Sequence, residues 1–311
     1  MDRRHFLQRS ALAGGTLLGA AGVGEAGAGA LFGAGPPPTF HLNYAPSPGQ
    51  FEAHAGSDPV DQIQFMAEQG FTAFEDNGMK GRSVRVQSRI ADALRAHDMQ
   101  MGVFVAHDIS WQEPALVTGE EGPRRQFLDE IRESVEVADR VGATWMTVVP
   151  GARDLRLDSG YQRANLIETL REAAAILEPH DLVMVLEPLN NRRDHPNQFL
   201  THTAQAYEIC RAVDSPACKI LYDIYHQQIT EGNLIPNLDA AWEEIAYVQV
   251  GDNPGRNEPT TGEINFRNVF AHLHEKGYEG VVGMEHGTSG DGKAGEKALI
   301  EAYRTCDAFE T

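Results

Sequence analysis

The 311-residue chain has few cysteines, fewer basic than acidic residues, and no long uninterrupted apolar segment. Its three cysteines, Cys210, Cys218 and Cys306, are too few and too scattered for a disulfide framework or a cysteine-built zinc site. We interpret them as buried thiols. A disulfide between Cys210 and Cys218 is the alternative if the protein resides in an oxidising compartment.

Basic residues are outnumbered, with 26 Lys and Arg against 45 Asp and Glu and a formal net charge of −19. A surface this negative repels phosphate backbones and anionic lipid headgroups, so we expect neither a nucleic-acid partner nor membrane binding by the mature protein. With 41% hydrophobic and 23% charged residues the chain can bury a large core, which argues against intrinsic disorder. Its length fits two small domains or one barrel-sized domain.

The first 30 residues differ in composition from the rest of the chain. Arg3 and Arg4 precede a mild apolar run over residues 11–24, which is too short and too glycine-rich for a permanent membrane span. This order of basic, apolar and small residues resembles a twin-arginine export signal, and the alternative is a disordered basic tail. We therefore predict a signal peptide over 1–30, a Pro/Gly-rich linker over 31–38, a catalytic domain over 39–311, and a periplasmic location.

From Thr39 onward, short apolar runs alternate with longer stretches of helical period, a pattern typical of a parallel sheet. Asp58 and Pro59 predict the start of one helix, and Asn265 and Gly277 predict the start and end of another. Eight such units over about 270 residues predict an α/β fold, a single (β/α)8 barrel. An open doubly wound sheet is the rival, but no Gly-rich phosphate fingerprint follows the first strand. The predicted strands span residues 40–44, 72–75, 101–106, 144–149, 183–187, 219–223, 247–251 and 281–285.

Oxygen-bearing side chains end four consecutive predicted strands, the fifth to the eighth. The C-terminal ends of barrel strands converge on one mouth, so we expect these residues to be neighbours. Up to three carboxylates would meet near a low-dielectric core, and a divalent cation would relieve their repulsion. Because all donors are oxygens, Mg²⁺ or Mn²⁺ is favoured over Zn²⁺. Any one of them alone would be interpreted as a helix cap or a surface ion-pair partner. The predicted metal ligands are Glu187, Asp223, Gln249 and Glu285.

Two further side chains are candidates for substrate binding. His226 lies three residues past Asp223, where it could contact a substrate oxygen at the rim, although a helix residue facing solvent is the alternative. Arg256 lies in a loop stiffened by Pro254 and Pro259, and an acidic mouth needs such a cation to receive an anionic substrate. An exposed loop arginine without a role is the alternative there.

Four segments around these residues carry a family resemblance: Glu187-Pro-Leu-Asn, Asp223-Ile-Tyr-His-Gln-Gln, residues 249–266, and Gly283-Met-Glu285. They resemble the hydroxypyruvate isomerase family, which belongs to the xylose isomerase-like TIM barrels alongside ketose 3-epimerases. The resemblance implies that the four predicted ligands hold the metal and that Glu187 and Glu285 are also the catalytic acid/base pair. It further implies that His226 and Arg256 contact the substrate. Gln249 departs from the epimerase branch, where histidine is usual.

The function implied by this resemblance is metal-dependent isomerisation of a small hydroxy-carbonyl compound, of the hydroxypyruvate to tartronate semialdehyde type. A proton would move between two carboxylates by way of an enediolate. The alternatives are a ketose 3-epimerase and a secreted sugar-acid binding protein without turnover. Phosphodiester cleavage is disfavoured by the charge of −19 and by the lack of a histidine-rich ligand set. The loops that begin at Glu75 and Ala106 depart from the family pattern, so the identity of the substrate is not predicted. Whether identical chains assemble is not predicted either.

Overall fold

The computed structural model describes residues 39–310, and the predicted signal peptide and linker lie outside these residues. Within this part of the chain, eight strands alternate with ten α-helices. The strands are Asn43–Ala45 (β1), Ala73–Phe74 (β2), Gln100–Met101 (β3), Trp145–Val148 (β4), Val183–Leu186 (β5), Cys218–Asp223 (β6), Ile245–Gln249 (β7) and Val281–Gly283 (β8). The helices are Glu52–Ala55 (α1), Pro59–Glu68 (α2), Val84–Ala96 (α3), Glu121–Val141 (α4), Ser159–Leu177 (α5), Thr203–Val213 (α6), Ile224–Thr230 (α7), Leu234–Ala241 (α8), Phe266–Glu275 (α9) and Gly292–Asp307 (α10).

All strand pairs are parallel, and the strands follow one another around a ring. Six form a sheet in the order β1-β8-β7-β6-β5-β4, and β2 pairs with β3. The joins between the two sheets are short: Glu75 N donates to Pro46 O at 3.1 Å on one side, and Met101 and Val105 bridge to Ala143 and Thr147 on the other. Because β1 pairs with β8, the ring closes and the open doubly wound sheet is excluded.

The helices begin and end at the residues that the sequence marks. Asp58 caps α2 by accepting from Val60 N at 3.0 Å, and Asn265 caps α9 by accepting from Asn268 N at 3.2 Å. Helix α4 ends at Gly142, whose φ of 72° is a left-handed conformation that glycine adopts without steric cost. The apolar stripes of these helices pack against the outside of the strand ring, which places the larger core between the two layers.

The third strand is the largest departure from the predicted boundaries. The sequence predicts a strand over 101–106, whereas ladder pairing ends at Met101. Beyond it, Val103 N donates to the hydroxyl of Tyr247 at 3.4 Å, so a side chain takes the place of a strand partner. Gly102 lies against the same hydroxyl, where a Cβ atom would overlap it. The irregularity therefore comes from a tyrosine inside the barrel, which local sequence does not reveal.

The barrel interior is small and apolar below the mouth. Its buried side chains come from seven of the eight strand segments: Ala45, Ala73, Val103, Val185, Leu221, Tyr247 and Val281. They fill the space within the ring below the polar groups at the C-terminal ends of the strands.

The three cysteines are buried and free, as interpreted from the sequence, and the structure contains no Cys210–Cys218 bridge between these described residues. The thiol of Cys218 beside Cys210, together with burial, raises the pKa of Cys210. None of the helices between residues 39 and 310 is long and apolar enough to cross a bilayer.

Candidate active site

The four predicted ligands lie at one end of the barrel. Asp223 and Gln249 end β6 and β7 and are paired in register, Glu187 follows β5, and Glu285 lies two residues after β8. Asp223 and Gln249 are buried, as is Glu187, whereas the Glu285 side chain keeps 28% of its surface exposed. The exposed carboxylate therefore lies at the rim and the buried ones at the floor of the mouth.

The carboxylates are close enough to change one another's ionisation. Burial raises the pKa of Glu187 well above its ordinary value, and the neighbouring Glu285 and Asp223 raise it further. Removal from water raises the pKa of Glu285 to about 7, although the Arg256 guanidinium opposes that rise. Carboxyl groups whose pKa values are raised in this way are suited to acid/base chemistry.

The ligand set fits a hard divalent cation. Oδ2 of Asp223 and Oε1 of Gln249 are buried and have no hydrogen-bond partner among the described residues. Buried oxygens without partners are costly, and a cation would satisfy both. The other oxygen of Asp223 accepts from His226 N at 3.2 Å and caps α7. One oxygen of Asp223 is therefore a helix cap, as the alternative interpretation expected. The other oxygen is left available to a metal.

His226 is wholly buried, so the solvent-facing alternative for this residue is wrong. Its Nδ1 lies 2.7 Å from Nδ2 of Asn190 and 3.3 Å from Asn190 N, which are both donors. The Asn190 amide cannot turn round, because its Oδ1 already accepts from Arg193 N at 3.1 Å and Asp194 N at 3.2 Å. The shorter contact favours Nδ1 as the acceptor and places the proton on Nε2, because the donor nearest to Nε2, Nη2 of Arg256, is farther away at 3.4 Å.

This tautomer makes His226 a donor into the site. Nε2 faces Glu187 Oε1 at 3.7 Å and Asp223 Oδ2 at 3.6 Å. These three residues form a compact group that could hold a metal. A protonated Nε2 has no lone pair to offer, however, so we assign His226 as a hydrogen-bond donor rather than a ligand. Burial lowers the pKa of His226 to about 4, which keeps the ring neutral.

Arg256 reaches into the mouth and does not point to solvent. One guanidinium nitrogen, Nη2, donates to Glu285 Oε2 at 2.8 Å and lies 3.6 Å from Asp223 Oδ2. The guanidinium also lies over the ring of Tyr225, 4.9 Å from its centroid. The side chain is 29% exposed and makes these contacts, so Arg256 is not a freely exposed loop arginine. That it receives an anionic substrate stays a prediction.

Comparison with known proteins agrees with this geometry. A family model described as xylose isomerase-like TIM barrel matches residues 63–306. Hydroxypyruvate isomerase of Escherichia coli (strain K12) is 34% identical over 59% of this chain and 70% of its own length. The 2-oxo-tetronate isomerase of Pectobacterium atrosepticum is 30% identical over 74% of this chain and 87% of its own length. The chain belongs to the hydroxypyruvate isomerase family of xylose isomerase-like TIM barrels.

Membership of this family confirms the predicted barrel fold and makes the chain an isomerase. A human relative, 35% identical over 55% of this chain, is matched over 63% of its own length, slightly less than two thirds. The crystal structure of AP endonuclease, family 2 from Brucella melitensis, superposes with a TM-score of 0.73 at 25% identity. That match covers 84% of this chain and 98% of the other.

The sequence analysis considered only strands five to eight and therefore missed two residues at the mouth of the barrel, Glu75 and Asn77. Asn77 Nδ2 donates to Glu285 Oε1 at 3.0 Å, and the buried Glu75 accepts from Gln249 Nε2 at 2.9 Å. Burial raises the pKa of Glu75 to about 8. Both residues follow β2, whose C-terminal end opens on the same mouth. Their position after a predicted strand was the available signal.

An aromatic wall borders the mouth on the side of β5. Trp111, which is 40% exposed, stacks on His195 with ring centroids 5.0 Å apart. The His195 ring in turn meets His226 edge-on at 5.3 Å. The loop after β3 therefore reaches across to the loop after β5, and the wall shields His226 from water.

Proposed function

We propose that this isomerase interconverts the carbonyl and neighbouring hydroxyl group of a small hydroxy-keto acid, with Mg²⁺ or Mn²⁺ as cofactor. The observation that carries the proposal is the pair Glu187 and Glu285, which share one mouth with Arg256 and have raised pKa values. Relatives named for hydroxypyruvate and 2-oxo-tetronate support a substrate that combines a 2-oxo acid with a hydroxyl group.

The proposed roles follow from the atoms that face the mouth. Glu187, Asp223, Gln249 and Glu285 would hold the cation, which when bound polarises a carbonyl oxygen and the adjacent hydroxyl oxygen. Arg256 pairs with the substrate carboxylate, and Nε2 of His226 donates to a substrate oxygen. Glu187 and Glu285 transfer the proton between the two neighbouring carbons of the substrate.

The proton balance for hydroxypyruvate is simple. One carboxylate removes a proton from C3, the electron pair of that C–H bond forms the C2–C3 double bond, and the C2 carbonyl π pair moves onto O2 to give an enediolate. The resulting carboxyl group delivers a proton to C2 while the O3 hydroxyl proton passes to O2, so the carbonyl has moved from C2 to C3. No oxidant or second substrate is needed, because the reaction only moves one carbon-bound and one oxygen-bound proton.

Product analysis tests the reaction. We expect the Mn²⁺-loaded protein to convert hydroxypyruvate to its aldehyde isomer, or 2-oxo-tetronate to its 3-oxo isomer, in D₂O, with one deuteron bound to carbon in each product molecule. Ketose substrates such as fructose are the comparison. Formation of their C3 epimers, with no reaction of the 2-oxo acids, would favour the 3-epimerase alternative. Tight binding of a 2-oxo acid without turnover would favour the binding protein.

Export to the periplasm is also part of the proposal, because residues 1–30 have the composition of a twin-arginine signal. We expect the full chain to accumulate in the periplasmic fraction of a bacterial host, and the Arg3→Lys, Arg4→Lys double variant to remain in the cytoplasm. Equal distribution of the two proteins would contradict export by this route.

A further inference from the structure

We propose that Glu75 is a positioning residue that turns the Gln249 amide so that its oxygen, and not its nitrogen, faces the metal site. The inference rests on the proposed function, because it concerns how this chain prepares a ligand for the cation. It assigns a role to a residue just after β2 that lies outside the predicted ligand set.

Glu75 is fully buried and has a partner for each carboxylate oxygen. Oε1 accepts from Gln249 Nε2 at 2.9 Å, and Oε2 accepts from the Tyr247 hydroxyl at 2.8 Å. That hydroxyl in turn accepts from Val103 N at 3.4 Å. The Val103 N–H makes the Tyr247 hydroxyl a donor to Oε2 of Glu75. Ionised Glu75, the form that a nearby cation favours, then accepts at both oxygens.

Gln249 needs such a partner because the two ends of an amide have nearly the same shape and opposite chemistry. Gln249 is paired in register with Asp223, so its amide lies beside the acidic cluster. Left to itself, the NH₂ group would turn toward those carboxylates and donate to them, which would place two N–H groups where a cation needs an oxygen. Glu75 binds Nε2 from the opposite side, and Oε1 is left buried without a partner.

The backbone around Glu75 is adapted to this arrangement. A Cβ atom at position 283 would overlap Oε2 of Glu75, and one at position 102 would overlap the Tyr247 hydroxyl. Glycines in β8 and just after β3 therefore leave the room in which the buried carboxylate and hydroxyl meet. Gly283 also pairs in register with Gln249, so the same close approach brings Glu75 beside the amide that it holds.

The Glu75→Gln variant keeps the size of the side chain, reverses the direction of a hydrogen bond and removes one negative charge. The double variant described below has the same charge and therefore isolates the effect of direction. Tyr247 donates toward position 75, so the new amide presents its oxygen to Tyr247 and its NH₂ to Gln249. The Gln249 amide must then turn round and present its own NH₂ to the site. We expect Mn²⁺ affinity, measured by electron paramagnetic resonance titration, to fall about 10-fold to 100-fold.

A second substitution distinguishes orientation from general damage. In the Glu75→Gln, Tyr247→Phe double variant no hydroxyl dictates the direction of the new amide, which is free to offer its oxygen to Gln249. We expect this double variant to bind Mn²⁺ more tightly than Glu75→Gln alone, by about 3-fold or more, which is a rescue that lost packing would not give. Glu244→Gln is the matched control, because Glu244 is a buried glutamate at the opposite end of β7. We expect it to leave Mn²⁺ affinity unchanged.

Gly283→Ala supplies an independent route if Glu75→Gln does not fold, since it displaces the Glu75 carboxylate without changing its charge. It should also weaken Mn²⁺ binding. Unchanged Mn²⁺ affinity in folded Glu75→Gln, or a double variant no better than the single one, would overturn the positioning role alone. A wild-type protein that binds no Mn²⁺ would overturn the proposed function and this inference together.

Discussion

Replacing either Glu187 or Glu285 by glutamine should lower kcat by about 10²-fold to 10⁴-fold, the usual contribution of a positioned acid or base. Glutamine keeps an oxygen at each position but cannot accept and release a proton near neutral pH. Both carboxyl groups have raised pKa values, because they are withdrawn from water beside each other and Asp223. The loss should therefore appear mainly in kcat, with a smaller change in KM for the 2-oxo acid.

Two measurements separate loss of the proton carrier from loss of the metal. Mn²⁺ titration of each variant should show binding that is weaker but still present, because the amide oxygen remains a ligand. Hydrogen exchange at C3 of hydroxypyruvate in D₂O should disappear in the variant that lacks the proton-removing group. Glu301→Gln, on the exposed face of α10, is a control that should leave kcat unchanged. A kcat within 10-fold of wild type in either active-site variant would contradict the acid/base assignment.

The sequence could predict the site on strands five to eight because each residue there follows a continuous apolar run. Glu187, Asp223, Gln249 and Glu285 stand at the point where side-chain character changes from apolar to polar, and barrel topology brings such points together. The helix boundaries were predictable for a similar reason, since Asp58, Gly142 and Asn265 act through local hydrogen bonds and backbone conformation.

The first half of the barrel was harder to predict because its strand segments are short and paired irregularly. Ladder pairing in β2 and β3 covers two residues each, and Tyr247 replaces a strand partner next to Gly102. The side chain that causes this irregularity is distant in sequence from the segment it distorts. No periodicity within residues 101–106 carries that information.

The contacts of the candidate substrate-binding residues could not be predicted either. Whether His226 donates or accepts depends on Asn190, which follows a different strand and is itself held by backbone N–H groups. Whether Arg256 points outward or inward depends on Glu285 and on the Tyr225 ring. Sequence gives the residue types at the mouth, whereas orientation is set by partners from neighbouring loops.

Removal of divalent cations should abolish turnover and lower thermal stability. The candidate ligand set includes three carboxylates, and two buried oxygens of that set have no hydrogen-bond partner in the part of the chain that the structure describes. A cation that binds only the folded state at 100 times its Kd adds about 2.7 kcal/mol to the free energy of unfolding. For a domain of this size that corresponds to a rise in Tm of about 5 °C or more.

The measurement is a thermal melt and a turnover assay before and after treatment with a chelator, with metal content checked by atomic spectroscopy. Mg²⁺ or Mn²⁺ should restore both properties, because every ligand is a hard oxygen donor. Asp223→Asn removes the charge from the most buried of these carboxylates, so its Tm should hardly respond to the added ion. Metal-free protein that keeps full turnover would show that Arg256 and His226 alone stabilise the developing negative charge, and the four strand-end oxygens would then need another explanation.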